Sequence, residues 1–252
     1  MACLVPIGLA AAPIAASAAE RVETAFIDAS GWADEDATVS YSESSETVVF
    51  DDDAVADAGK ARFAGVDFGD DAIAPSRAPL ARSGPFYLVA ADTIEMIGTV
   101  DSASPRQFAA LLAAHPGVRR LVMVECPGSV DEDANHILAR AVRRAGLETV
   151  VPAGGSVRSG AVDLFLAGVR RQAAPSAEFG VHSWRDEDGY EAGDFAAGDP
   201  VHAEYLSYYR EMGLNDAAAR QFYALTNSVG FDDVRYLGAR DMARMGLAEV
   251  AG

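Results

Sequence analysis

Few side chains in this sequence have both the type and the spacing for catalysis. Ser159 follows a glycine turn, Gly154-Gly155, and opens a predicted helix over 159–169 that is apolar apart from Asp163. A serine there stands where free N–H groups and the helix dipole favour developing negative charge. It is either a nucleophile or a plain helix cap, since serine is a preferred N-cap residue. His182 lies 23 residues on, past a predicted strand over 178–181, and is followed by Ser183 and Trp184. A histidine at a strand end can reach a neighbouring helix N-terminus in a parallel sheet and take a proton from a hydroxyl. Asp163 falls one helical turn after Ser159, on the same face. A buried carboxylate needs a partner, so Asp163 is either structural or an orienter of His182. Trp184 either walls a pocket or packs in the core.

The other three histidines carry less. His115 precedes Pro116 at a helix end, His136 sits on an amphipathic helix, and His202 follows an acidic stretch. Their spacing matches no zinc motif, and no metal is expected. Asp51-Asp52-Asp53 lacks the alternation and glycine of a calcium loop. The turns at Pro127-Gly128 and Gly154-Gly155 lack the pattern of a P-loop or a dinucleotide fingerprint, so no nucleotide cofactor is expected.

The elements that must position these residues are legible after Pro85. Strands are predicted at 86–90, 93–97, 120–125, 147–151, 178–181 and 234–237, with β-branched and aromatic content. Between them, helices are predicted at 105–114, the first capped by Ser104, and at 133–145, 159–169, 200–212 and 215–225, with a last helical turn at 241–246. This alternation is α/β order and favours parallel strands covered by helices. Residues 186–200 are acidic and glycine-rich and read as a mobile excursion. Its acids Asp186, Glu187 and Asp188 are either a lid fringe or a solvated run.

The 252 residues carry a net charge of −18. Residues 20–75 hold 15 acids and 3 bases, so most of the excess precedes the α/β part. An acidic chain is repelled by nucleic acid and by anionic membrane surfaces. Two cysteines, Cys3 and Cys126, cannot build a disulfide framework. Residues 1–20 are apolar and alanine-rich and end in Ala16-Ser17-Ala18, the pattern of a signal-peptide core and cleavage site, although no Lys or Arg precedes the run. The expected organisation is a leader at 1–18, an acidic N-terminal extension at 19–84 and an α/β domain at 85–252. The expected localisation is periplasmic or secreted, with no membrane insertion once the leader is removed.

Five short motifs occur in a telling order: Pro127-Gly128-Ser129-Val130 after a strand, Ser159-Gly160-Ala161 with Ala167-Gly168 closing its helix, Gly180-Val181-His182, Arg235-Tyr236-Leu237, and Met245-Gly246-Leu247. On these the segment from about Thr93 to Leu247 resembles the Clp protease proteolytic subunit and crotonase superfamily, closest to its secreted bacterial branch. The resemblance implies a ββα superhelix with mostly parallel strands. It implies Ser159 as nucleophile, His182 as general base, and the N–H groups of Gly128 and Gly160 as the oxyanion hole. Such donors are worth about 3–4 kcal/mol each.

Two positions depart from the family pattern. The glycine turn has one glycine where paired ones are usual. Val234 stands where the peptidases place an aspartate, leaving Asp233, its neighbour Asp232, or Asp163 as the third member, or a Ser–His dyad. The implied function is an exported serine hydrolase, peptidase or esterase, acting on peptide or acyl-ester substrates without a cofactor. The alternative is a non-catalytic envelope protein on the same fold. A coenzyme A enzyme is disfavoured by export and by the scarcity of basic residues. Relatives assemble into rings or trimers, so a homo-oligomer is possible on this resemblance.

Overall fold

The computed structural model describes residues 73–251. The leader expected at 1–18, Cys3, the Asp51-Asp52-Asp53 run and most of the acidic extension lie outside them. Strands β1 (Ala81–Ser83), β2 (Phe86–Ala90) and β3 (Thr93–Ile97) form an antiparallel meander. Phe86, Leu88, Ile94 and Met96 alternate inward along β2 and β3, as the period of two requires. β1 lies upstream of the boundary expected near residue 84 and is hydrogen-bonded to β2. Farther upstream, the Ser76 N–H and hydroxyl both donate to the buried Glu95 carboxylate of β3.

Helix α1 (Ser104–Ala114) leads into β4 (Arg120–Cys126), which runs parallel to β3. Ser104 is not its cap, contrary to expectation. Asp101 does that work: its Oδ1 accepts from the N–H groups of Ala103 and Ser104 and from the Ser104 hydroxyl. Three residues upstream, a carboxylate meets the orphan donors better than a serine already inside the helix. Helix α2 (Glu132–Arg144), capped by Asp131 on the Ala134 N–H at 2.9 Å, returns the chain to β5 (Glu148–Val151), parallel to β4.

At β4 the sheet divides. The first half of β4, Arg120 to Val122, pairs with β5, and the sheet continues through β7 (Arg170–Ala173) to β10 (Glu249–Val250). The last residues, Glu125 and Cys126, pair instead with β6 (Ser156–Arg158), which pairs with β8 (Glu178–Val181). All of these pairs are parallel. β9 (Arg235–Gly238) closes that branch antiparallel to β8. The α/β class with a mostly parallel sheet is thus as expected, while β6, β7 and β10 were not read from the sequence. β6 and β10 have only three and two residues, too few for a period to show. The four residues of β7, Arg170-Arg171-Gln172-Ala173, lack the β-branched or aromatic content that marks a strand. Helices α4 (Pro200–Glu211), α5 (Asp216–Thr226) and α6 (Ala239–Arg244) complete the order.

Helix α3 (Gly160–Leu166) stops three residues short of the predicted end. The reason is a tight contact with β5. The Thr149 hydroxyl donates to the Phe165 carbonyl at 2.7 Å, and a Cβ at Gly168 would stand 2.2 Å from that same Oγ1. Gly168 therefore lets the chain leave the helix against the sheet. The seven-residue helix sits in the core through Val162, Leu164, Phe165 and Leu166, and Phe165 packs on Phe179 of β8 with ring centroids 5.0 Å apart.

Gly168→Ala should displace the Thr149 hydroxyl and lower stability by about 1–3 kcal/mol, read as a lower urea midpoint at unchanged m-value.

Candidate active site

The division at β4 sets three parallel strands, β4, β6 and β8, side by side. Their C-terminal ends deliver the Pro127-Gly128-Ser129 turn, Ser159 and His182 in that order. Carboxyl ends of parallel strands are where open α/β sheets place their ligands.

Ser159 links β6 to α3 with φ 51° and ψ −138°, and it is the one non-glycine residue with positive φ among the described residues. Its N–H donates to the Gly180 carbonyl at the end of β8 (2.8 Å), and its carbonyl accepts from Val162 (2.8 Å). These bonds impose the conformation. The side chain makes no capping hydrogen bond, and an N-cap serine would have extended backbone. The cap reading of Ser159 therefore fails, and its hydroxyl is not consumed by the helix. Backbone in such a region costs about 1–3 kcal/mol and persists where surrounding structure over-determines it.

Ser159 and His182 line one cavity of about 270 Å³. His182 packs edge-on against Phe231, ring centroids 4.9 Å apart. Its Nδ1 lies 2.7 Å from the Ser183 carbonyl oxygen. A carbonyl only accepts, so Nδ1 carries the proton and Nε2 is an acceptor, the tautomer a general base needs.

Gly160 lines the cavity, whereas Gly128 is not on its wall. Gly128 lies against Ser159: a Cβ there would stand 2.9 Å from the Ser159 Cβ, and its φ of 138° suits glycine alone. The residue of that turn on the cavity wall is Ser129. A Cβ at Gly160 would lie 3.1 Å from the Ser129 Cβ and 3.7 Å from its N, so the two backbones are adjacent.

The carboxylates expected to orient His182 are differently placed. Asp163 lines the cavity, but its carboxyl is hydrogen-bonded to the Tyr209 hydroxyl. Burial, then repulsion from Glu132, raises its pKa to about 7, and the Tyr209 bond opposes the shift. The Tyr208 hydroxyl also binds the Asp163 carbonyl at 2.7 Å. Asp233 is exposed and does not line the cavity. Asp232 pairs with Arg185 at 3.1 Å. Val234 faces Gly180, where a Cβ would meet its Cγ2 at 3.1 Å.

Trp184 both walls the cavity and packs, stacked on Tyr205 at 5.3 Å and 8°. Its indole N–H donates to the Tyr223 hydroxyl, which lies 2.7 Å from His202 Nδ1, while His202 Nε2 meets the Ala196 carbonyl. His136 stacks on Tyr208, and burial lowers its pKa. Asp186, Glu187 and Asp188 are exposed, and none lines the cavity. Buried Cys126 is no rival nucleophile, since burial pushes its thiol far up. Among the described residues no group of three His, Cys, Asp or Glu side chains could hold a metal ion.

Sequence reasoning missed the cavity's far wall: Tyr205 and Tyr209 of α4, Phe222 and Thr226 of α5, and Phe231. The i, i+4 spacing of the two tyrosines marked a shared helix face, but nothing local said what that face met. It also missed Arg158. Its guanidinium, 2% exposed, donates to Glu125 on β4 (2.5 Å) and to Ser156 (2.5 Å), which in turn donates to Glu178 on β8 (2.9 Å).

No family model and no curated protein matches the chain. Proteases are among the solved structures similar to it. A point mutant of the 1510-N membrane-bound stomatin-specific protease is 17% identical over 64% of this chain and 77% of its own, with a TM-score of 0.45. The 1510-N membrane protease specific for a stomatin homolog from Pyrococcus horikoshii is 18% identical over 63% and 71%, with a TM-score of 0.42. A point mutant of ClpP1 from Listeria monocytogenes is 13% identical over 63% and 89%, with a TM-score of 0.47. The Clp proteases named in the resemblance above are thus represented among these structures.

Ser159→Gly should relieve the positive φ and raise the melting temperature by about 2–4 °C. Ser159→Ala, which keeps its Cβ, should not. Scanning calorimetry of both variants checks this.

Proposed function

We propose that the protein is an exported serine hydrolase, a peptidase or esterase, in which Ser159 forms an acyl-enzyme with His182 as the base. The observation that carries this reading is the Ser159 hydroxyl: held at a strained φ, making no helix-capping bond, and on the wall of the cavity that His182 shares. As substrate enters, the hydroxyl turns to Nε2, a contact that is often loose before a ligand is bound. Oγ attacks the acyl carbon while its proton passes to Nε2. The oxyanion is received by the Gly160 N–H and, in place of the Gly128 donor of the family pattern, by the adjacent Ser129 N–H. The protonated imidazole then gives its proton to the departing amine or alcohol. Water repeats the sequence and frees the acid.

The Ser183 carbonyl beside Nδ1 fixes the tautomer that leaves Nε2 to take the proton. Export rests on the leader-like residues 1–18, with the acidic segment 19–84 preceding the hydrolase domain. The strongly acidic charge supports a partner set without nucleic acid.

A second reading, a non-catalytic scaffold on this fold, is favoured by Val234 in the aspartate place.

A fluorophosphonate probe should label Ser159 in the folded protein and leave Ser159→Ala unlabelled. Absence of labelling in folded wild-type protein selects the scaffold. In the labelled case, His182→Gln should slow labelling by about 10²–10⁴-fold. Asp233→Asn and Asp232→Asn should each change the rate less than about threefold, against the ~10⁴-fold loss seen when a triad aspartate is replaced.

A further inference from the structure

One lobe of the cavity is acidic and aromatic. Glu132 from α2 and Asp163 from α3 line it with Tyr205 and Tyr209 of α4. The Glu132 carboxyl is bonded to the Tyr205 hydroxyl, and the Asp163 carboxyl to the Tyr209 hydroxyl. The two carboxylates are close enough to repel, each tyrosine satisfies only part of its partner, and burial raises the pKa of both acids. A third lining carboxylate, Asp131, is occupied in capping α2. The guanidinium on the lining, Arg185, is engaged: it lies over the Phe231 ring at 3.9 Å and pairs with Asp232. The lobe therefore carries negative charge that no lining cation neutralises.

Asn135 supplies an independent observation. It lines the same cavity and is 1% exposed. Its Nδ2 donates to the Gly160 carbonyl at 2.7 Å. A carbonyl only accepts, so the amide cannot be flipped. Oδ1 is then the remaining end, buried and without a hydrogen-bond partner among the described residues. Leaving such an acceptor unmet costs about 1–3 kcal/mol, and an orphan of this kind on a cavity wall marks where a ligand's donor belongs.

The lobe thus offers two carboxylates and one amide oxygen, and these call for a group made only of donors and positively charged. We infer that the lobe receives the lysine- or arginine-like side chain of a peptide substrate whose acyl carbon is presented to Ser159. The alkyl stem lies along Val181 and Phe222, which also line the cavity, and the cationic head reaches the carboxylates. A cavity of about 270 Å³ admits one such side chain. A cation between Glu132 and Asp163 replaces their repulsion with attraction, which lowers both carboxyl pKa values again. The term substrate rests on the hydrolase reading, whereas the cation lobe itself requires no catalysis.

The experiment separates the two. In the full-length Ser159→Ala protein, calorimetry compares Nα-acetyl-lysine methylamide with Nα-acetyl-norleucine methylamide, which keeps the stem and lacks the charge. The lysine compound should bind at least about tenfold more tightly. That preference should vanish in the Glu132→Gln/Asp163→Asn double variant, whose folding is confirmed by its melting curve. If the double variant does not fold, Glu132→Gln alone should reduce the preference. With wild-type protein, lysine aminocoumarin amides should be cleaved in preference to norleucine ones. Equal binding of the two compounds, with Ser159 still labelled by fluorophosphonate, overturns the cation lobe and leaves the hydrolase. Preferential lysine binding with no labelling supports the lobe as a binding site and overturns the hydrolase.

Discussion

A guanidinium buried between two carboxylates braces the part of the sheet on which everything else depends. Arg158 has no water to solvate it, so it must be held by partners. It takes Glu125 from β4 directly and reaches Glu178 of β8 through Ser156. Those three residues stand level with one another across the three strands. Removing one partner of a buried pair costs about 3–5 kcal/mol, because the other charge is left bare. The network resists slippage of β6, a strand of only three residues, against its neighbours. One residue of slip would send Arg158 to the opposite face.

From that register the site follows. With β6 level with β8, the next N–H along, that of Ser159, meets the Gly180 carbonyl, and the chain must take a positive φ to enter α3. Gly128 completes the arrangement by letting the β4 turn lie against the serine. The strain at Ser159 is therefore a consequence of strand pairing, and it directs the hydroxyl away from the capping role its position would otherwise give it. His182 is placed by the same branch, one residue past β8. Its Nδ1 meets the main-chain carbonyl of the next residue, Ser183, which fixes the tautomer of the ring.

The far wall belongs to the helices that follow. α4 and α5 carry Tyr205, Tyr209 and Phe222 over the mouth of the parallel strands. The aromatic chain from Trp184 through Tyr223 to His202 and the Ala196 carbonyl ties the segment after His182 to both helices. Facing these tyrosines, Glu132 of α2 and Asp163 of α3 each bind a tyrosine hydroxyl.

The sequence by itself determined the α/β order and the principal strands and helices, and it marked Ser159 and His182 as the candidates for chemistry. These are local properties: apolar period, turn glycines, and the rarity of a serine and a histidine at element ends. Asp163 was legible as the lone charge of an apolar helix, but its partner was not, because Tyr209 lies on another helix 46 residues away. Arg158 carried no local signal, and Ser159 read as either a nucleophile or a cap, for the same reason. Their roles depend on which strands lie side by side, and pairing across 20 to 30 residues leaves no mark on the local pattern. Only the tertiary structure decided that β4 divides, that Ser129 rather than Gly128 lines the cavity, and that Glu132 and Asp163 share that cavity with the tyrosines of α4, since each of these depends on segments distant in the chain.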